Sequence, residues 1–271
     1  MYGYVDTDQV FKIKTLHTAF VANRDSKYYF TGEHHNFWEM VIVLEGNLGV
    51  TAGSDLFILK KGQAVIHEPM EFHRLWSEGN SNTKIIVFSF GAVGMPKYSS
   101  KVFEIPDLDK ASELLSEIHS QFKNDKLNIL GINEPDKINY QLTIKKLEMF
   151  ILTTLSQKTE KNDIVKSQAA KNYTNIVNIL ESNIDKNLSV SDIAILCNMS
   201  QINLKKTFSR YSGMGVMAYF NQLKITASIS MIKNGLTIRE ISDALGFSNQ
   251  NYFSTVFKRL TGHAPSHFKE R

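Results

Sequence analysis

Cysteine occurs once in these 271 residues, at Cys197. An intrachain disulfide and a cysteine-rich metal centre are thereby excluded. No charge-free apolar run reaches the roughly 18 residues that a bilayer-spanning helix needs. The opening, MYGYVDTDQVFKIK, is acidic and broken by charge rather than basic and then apolar, so no secretory signal is expected. Together these absences point to a cytoplasmic chain with no membrane partner. A hydrophobic fraction of 42% is ordinary for a folded chain with buried cores, and the length suggests two domains.

The net charge of +4 is unevenly spread. From Lys171 onward there are 12 Lys+Arg and 6 Asp+Glu, a balance of +6, whereas the preceding part carries 19 and 21, a balance of −2. A basic C-terminal part is the electrostatic footprint of a nucleic-acid-binding domain. Charge alone is equally compatible with an uneven solvated surface.

Residues 1 to about 95 read as strands. Phe37 to Glu45, Leu48 to Thr51, Asp55 to Leu59, Ala64 to His67 and Thr83 to Phe90 are short apolar runs separated by turn signals. Gly46-Asn47 suits a two-residue hairpin, because glycine tolerates positive φ. So many short strands indicate a small barrel or sandwich. Beyond residue 107 the period becomes helical. Leu108, Ala111, Leu114, Leu115 and Ile118 form one stripe, continued by Phe122, and Ile144, Leu147, Ile151, Leu152 and Leu155 form another. A polar stretch around Asn124 to Asp136 separates them. The second stripe is too apolar to stay exposed, so it is expected to pack across a two-fold axis or against the 108–122 helix. The sequence SQKTEKNDIVKSQAAK reads as an interdomain linker. This gives a strand-rich domain with two following helices over 1–156, a linker over 157–171 and a helical domain over 172–271.

The helical part repeats itself. Phe208 and Phe257, Gly213 and Gly262, and Tyr219 and Phe268 are each 49 apart. Upstream, Ile193 and Ile241, Asn198 and Gly246, Met199 and Phe247, and Ser200 and Ser248 are each 48 apart, which implies a one-residue slip inside each second helix. In the second copy, about 237–260, Thr237 caps a short helix, Gly246 ends it, and Ser248 caps the next. In the first, about 189–211, Ser189 and Ser200 cap, and Asn198 takes the left-handed position that glycine holds in the other. Two short helices joined by such a turn make a helix-turn-helix, whose second helix enters the major groove. The outward residues are Gln201, Ile202, Asn203, Lys205, Lys206 and Arg210 in the first copy. In the second they are Asn249, Gln250, Asn251, Ser254, Thr255 and Lys258. Asn and Gln can pair with adenine, Lys and Arg with guanine or phosphate, and Ile202 can meet a thymine methyl group or be partly buried.

The stretches LSVSDIA at 188–194, MSQINLKKTF at 199–208 and ISDALGFSNQNYFSTVFKRLTGHAP at 241–265 resemble the DNA-binding domain of the AraC/XylS family. Departures are Lys224 and Lys269, where arginine is usual, and Ser242, where alanine is. The resemblance implies that one long helix, about Val216 to Lys233, joins the two units, and that each presents a recognition helix to successive major grooves.

In the N-terminal half, HHNFWEMVIVLEG at 34–46 and GQAVIHEPMEFH at 62–73 resemble the cupin-type sensor barrel of such regulators. In metal-binding cupins two histidines, a glutamate and a later histidine meet in the barrel. His35, Glu39 and His73 fall at three of those places, and Glu33 stands at the fourth. These three are the metal candidates, but family members usually work without metal, so no metal or other cofactor is expected. A carboxylate and two imidazoles inside a barrel are costly unless paired or bound to something, so the effector site is expected at His35, Glu39 and His73, with Trp38 and Trp76 as stacking surfaces for a sugar or other ring. Mutual pairing of the three polar groups is the alternative. The resemblance as a whole implies a homodimeric transcription regulator and not an enzyme. It would be an activator that works with RNA polymerase, an all-β cupin-like barrel with flanking helices ahead of an all-α double helix-turn-helix. A cupin metalloenzyme with a DNA-binding tail and a ligand-independent DNA binder are the rival readings.

Overall fold

A computed structural model of the chain describes residues 11–98, 100–125, 128–133, 137–157 and 168–268. They fall into two compact units, one strand-rich and N-terminal, the other helical and C-terminal.

The strand-rich unit contains β1 (Lys12–Arg24), β2 (Trp38–Glu45), β3 (Asn47–Ala52), β4 (Asp55–Lys60), β5 (Gln63–His67), β6 (His73–Ser77), β7 (Thr83–Val93) and β8 (Val102–Glu104). Helix α1 (Leu108–Gln121), strands β9 (Phe122–Asp125) and β10 (Asn128–Ile132), and helix α2 (Lys137–Ser156) follow. A seven-stranded sheet has the order β8-β5-β2-β7-β1-β10-β9, and a three-stranded sheet the order β4-β3-β6. Side chains alternate across each strand, and the two resulting faces build two cores. Val41 and Val43 of β2, Val65 of β5, and Ile85 and Val87 of β7 meet Leu48 and Val50 of β3 and Leu75 of β6 between the sheets. Met40, Ile42, Ile66, Ile86 and Phe88 point the other way, under Leu114, Ile118, Leu147 and Ile151 of α1 and α2.

Three expectations change here. Gly46-Asn47 is not a hairpin turn: β2 pairs with β5 and β7, while β3 lies in the other sheet beside β4 and β6. Gly46 (φ 74°) turns the corner between sheets, and a Cβ there would lie 2.1 Å from the Asn82 carbonyl oxygen. Phe122 does not continue α1. It caps the helix in extended conformation and opens β9, so its apolar character reflects core burial and not helical period. The polar stretch after it is, among the described residues, a two-stranded ribbon of β9 and β10. The stripe Leu147 and Ile151 is fully buried against Leu114 and Ile118 of α1, the second of the two packings expected for it, with Ile144 and Leu155 packed against the same core, whereas Leu152 lies outside it and is exposed. Charges at Leu147 or Ile151 would therefore unfold the domain and not split a dimer. The exposed apolar face of α2 is the other one, with Ile138, Leu142, Met149 and Leu152.

The helical unit comprises α3 (Gln168–Ser182), α4 (Val190–Leu196), α5 (Gln201–Ser212), α6 (Val216–Lys233), α7 (Ile238–Ala244) and α8 (Gln250–Thr261), then a 3-10 turn at Pro265–Phe268. Helix α3 opens at Gln168, so the last four residues of the expected linker are helical, and 158–167 lie outside the described residues. The long joining helix runs over the expected span. Ser189 and Thr237 form capping boxes with Asp192 and Glu240. Asn198 (φ 54°) and Gly246 (φ 60°) both occupy the left-handed turn position. At the far ends, Gly213 and Gly262 close α5 and α8 in the left-handed region. Ser212 and Thr261 repeat one bonding pattern, donating to Phe208 O and Phe257 O respectively.

The second helices begin differently from expectation. Ser200 caps α5, but Asn249 rather than Ser248 caps α8, its side chain accepting from Tyr252 N at 2.8 Å. Ser200 and Asn249 are 49 apart, so the slip lies in the turn and not inside the helices. One extra residue, Ser248, lengthens the second turn.

Candidate functional site

Glu39, His67, His73 and Ser89 sit on strands of both sheets at positions whose parity matches the inter-sheet core. Glu39 precedes Val41 by two, His67 follows Val65, His73 precedes Leu75, and Ser89 follows Val87. Glu33 is fixed beside His73 by reciprocal backbone hydrogen bonds, Glu33 N to His73 O at 3.0 Å and His73 N to Glu33 O at 3.1 Å. One ligand atom from each of Glu33, His35, Glu39 and His73 lies within 4.8 Å of all the others. His73 Nε2 is 3.3 Å from Glu39 Oε1 and 3.9 Å from Glu33 Oε1, and His35 Nε2 is 3.7 Å from Glu39 Oε2.

Both His35 and His73 are held by their other nitrogen. His35 Nδ1 is 2.9 Å from the Phe37 carbonyl and His73 Nδ1 is 3.1 Å from the Glu71 carbonyl. A carbonyl only accepts, so Nδ1 carries the proton in each ring, and Nε2 of a neutral ring presents a lone pair to the carboxylates. Neither Nε2 has a hydrogen-bond partner, although both are buried. Burial alone would raise the Glu39 pKa, but His35 and His73 hold its carboxyl well below the usual range. Burial lowers the His73 pKa, and Glu39 more than offsets this, so it is raised. Ser89 Oγ donates to Glu39 Oε2 at 2.9 Å.

His67 stacks on His73, ring centroids 4.0 Å apart, and burial together with His73 depresses its pKa to about 4. Glu33, His35, Glu39 and Ser89 line a cavity of about 350 Å³, with Phe20, Tyr28, Phe30 and Phe37 among its walls and Arg24 on its lining. Arg24 Nε is buried without a hydrogen-bond partner. A larger open depression of about 730 Å³ between β1 and α2 contains none of these groups.

The two tryptophans do not belong to this site. Trp38 is one residue before Glu39, so the pleat turns it to the opposite face, where it packs on the helix-covered core. Trp76 has the parity of Arg74, away from His73. It covers Gly49, where a Cβ would lie 2.0 Å from the ring, and donates Nε1–H to Glu78 at 2.6 Å. The ring walls come instead from Phe20, Tyr28, Phe30 and Phe37. Sequence reading passed over Arg24, Ser89 and His67. For Ser89 and His67 the signal was their parity with Val87 and Val65, and Glu33 stood in view only as a missing histidine.

In the helical unit, Gln201, Ile202, Asn203, Lys205, Lys206 and Arg210 are all exposed on α5, opposite buried Leu204 and Phe208. Ile202 is 81% exposed, which rules out the partly buried alternative for it. On α8, Gln250, Asn251, Thr255 and Lys258 are exposed and Ser254 half-buried, opposite Phe253, Val256 and Phe257. Asn249 is also exposed, but its oxygen is committed to the cap. Arg259 is exposed at the α8 position equivalent to Arg210, an equivalence already set by the 49-residue spacing of Phe208 and Phe257 and of Gly213 and Gly262, but sequence reading passed over it.

The profile of the AraC-like ligand binding domain matches residues 16–133, and that of a helix-turn-helix domain matches 186–271. The Msm operon regulatory protein of Streptococcus mutans is 30% identical over 59% of this chain and 56% of its own length. RhaR of Pectobacterium atrosepticum, an HTH-type transcriptional activator, is 23% identical over 93% of this chain and 90% of its own. The chain thus spans about half the length of the first relative and nine tenths of the second. Fatty-acid-bound ToxT from Vibrio cholerae aligns over 95% of this chain and 96% of its own at 18% identity, with a TM-score of 0.37 that supports no argument. With a ligand-binding profile ahead of a C-terminal helix-turn-helix profile, the chain belongs to the AraC family of transcriptional regulators.

Proposed function

We propose that this chain activates transcription by reading two successive major-groove segments with α5 and α8, under the control of a small effector held in the barrel cavity. The observation that carries the reading is the repeated frame of the two helices. Left-handed turns, side-chain N-caps and glycine C-caps recur, and each frame leaves a face of Gln, Asn, Lys and Arg exposed. Structural economy does not require such a duplicated polar face, whereas groove reading does. The naming of RhaR as an activator supports activation over repression, and with it contact to RNA polymerase. On this reading residues 1–156 sense and dimerise, 172–271 together with the start of α3 bind DNA, and the chain works in the cytoplasm without catalysing a reaction. The homodimer would form through the exposed face of α2. The cavity is near the lower end of small-molecule sites, about 300–1,000 Å³, and its aromatic walls with one polar end suit a compact ring or acid.

The test is binding-site selection with the full chain on random duplexes, followed by affinity against salt. A specific two-part site is expected, with affinity falling steeply as salt rises because phosphate contacts release counterions. Failure to enrich any sequence, or affinity indifferent to salt, would refute the reading.

A further inference from the structure

Granting the groove reading proposed above, we infer that Lys224 is a positioning residue for it: the side chain clamps the two helix-turn-helix units together and so fixes how many base pairs separate the two parts of their site. One base-pair step along a duplex is a rise of about 3.4 Å and, at 10–10.5 base pairs per turn, a rotation of about 35°. Two units hinged only on the ends of one joining helix, where helices fray, can take up part of such a step. A second tie between the units removes that freedom.

The turn after α3 provides that tie. Helix α3 packs with the first helix-turn-helix, Tyr173 lying against Phe208 of α5 with ring centroids 5.5 Å apart. The residues that follow it cross to the second. Ile184 packs on the core of Ile225, Ile241, Leu245 and Phe253. The backbone of Asp185 and Lys186 lies against Gly246, where a Cβ would be 2.3 Å from Asp185 O and 2.7 Å from the Lys186 carbonyl carbon. The turn conformation alone does not demand glycine, since Asn198 takes the same left-handed position in the first copy. At Gly246 the close backbone approach demands it as well. Lys224 Nζ bridges the two sides of this contact. It donates to Lys186 O, ahead of α4, and to Leu245 O, at the end of α7, both at 2.6 Å. The rings of Phe220 and Phe247 flank it, their centroids 4.5 and 5.3 Å from Nζ. Moving either carbonyl by the length of one base-pair step would break its bond to the ammonium. Lys224 is itself buried, so its part is to hold α4 and α5 against α7 and α8, not to touch DNA.

The test uses the full chain and the duplex it selects, in versions with one base pair added or removed between the two parts of the site. Affinities are read by fluorescence anisotropy. In the wild type each change should weaken binding by at least about 25-fold, because the displaced recognition helix gives up two or more base contacts, each worth roughly 5-fold or more. Lys224→Met should cut this spacing penalty to about 5-fold or less, the value of a single contact. Lys224→Arg keeps donors for both carbonyls and should retain the penalty. The penalty is a ratio of two affinities of one protein, so any loss of folded material cancels from it, and mere destabilisation would leave it unchanged. A Lys224→Met penalty equal to that of the wild type would overturn the proposal. So would loss of the penalty in Lys224→Arg, since the two hydrogen bonds would then not be what holds the units. So would a wild type that accepts the added or removed base pair with less than about 5-fold loss. In all three cases DNA reading would stand. A wild type that selects no duplex at all would overturn that reading and the clamp with it.

Discussion

Lys224 lies in the middle of α6 and is 3% exposed. Its Nζ donates to Lys186 O and Leu245 O, both at 2.6 Å, and sits 4.5 Å from the Phe220 ring centroid. It thus ties the joining helix to the turn before α4 and to the end of α7. Burial drives its pKa from 10.5 down to about 8, with Asp185 opposing. At ~1.4 kcal/mol per pKa unit, holding the ammonium there costs roughly 3 kcal/mol at neutral pH. Lys224→Met removes that cost but leaves two carbonyls unpaired, at about 1–3 kcal/mol each, so ~4 kcal/mol together. The difference is a destabilisation of about 1 kcal/mol at pH 7. The folded pKa lies below the unfolded one, so between pH 8 and 10.5 the unfolded state holds a proton that the folded state lacks, and stability rises with pH there. By about pH 9.5 the wild type has recovered roughly 2 kcal/mol, its neutral amine still donating, while the variant has recovered nothing. The destabilisation should therefore widen to about 3 kcal/mol. Urea unfolding followed by far-ultraviolet circular dichroism reads the helical unit. Both tryptophans, Trp38 and Trp76, are in the other unit, and their fluorescence transition should coincide in the two proteins. Equal destabilisation at the two pH values, or a more stable variant, would refute the reasoning.

Gln250→Ala and Asn251→Ala should each cost about 1–3 kcal/mol on the selected site and relax preference at a few base pairs, with Lys205→Ala and Lys206→Ala acting on the other part of the site; unchanged selected motifs would show that the wrong face had been assigned. If the proposed dimer forms through α2, light scattering should find the wild type dimeric and Leu142→Glu with Met149→Glu a folded monomer, because both side chains are more than half exposed on α2; a monomeric wild type would refute the dimer. Gly246→Ala should destabilise the helical unit by about 2 kcal/mol or more, since the residue has φ 60° and its Cβ would lie 2.3 Å from Asp185 O. A denaturation midpoint within experimental error of wild type would contradict that.

The recognition faces were legible because helical period and capping chemistry are local. Ser189 with Asp192 and Thr237 with Glu240 announce helix starts in four letters, and the structure forms both capping boxes. Where two capping residues stand side by side, local chemistry does not choose between them. Ser248 and Asn249 are both good N-caps, and the choice is made by Phe247, which packs on Phe253 with ring centroids 5.2 Å apart and so sets where α8 begins. The barrel was less legible for a related reason. The sequence names Glu39 and His73 as unusual residues for a strand, but which neighbours share their face depends on parity alone. A tryptophan beside a carboxylate looks like part of one site until the pleat separates them, as it does for Trp38. Gly46 misled in the same way, because positive φ is demanded equally by a hairpin and by a corner between sheets, and strand pairing decides between them.

Parity also explains what the sequence could have shown at the cavity. Taking Val41, Val65, Leu75 and Val87 as one face places Glu39, His67, His73 and Ser89 on it without further information. Four polar residues on the inner face of four strands are then too many for chance in an apolar core, and each needs a partner. Ser89 and Glu39 satisfy one another, and His67 is left stacked and neutral. Among the polar groups on this face, the buried side-chain nitrogens left without a hydrogen bond are both ring nitrogens of His67 and Nε2 of His73, joined by Nε2 of His35 from the loop before β2. Polar capacity left over after all internal pairing is what distinguishes a binding site from a buried network. By that criterion the effector proposed for this barrel would meet the chain first at His35, the one of these histidines that lines the cavity.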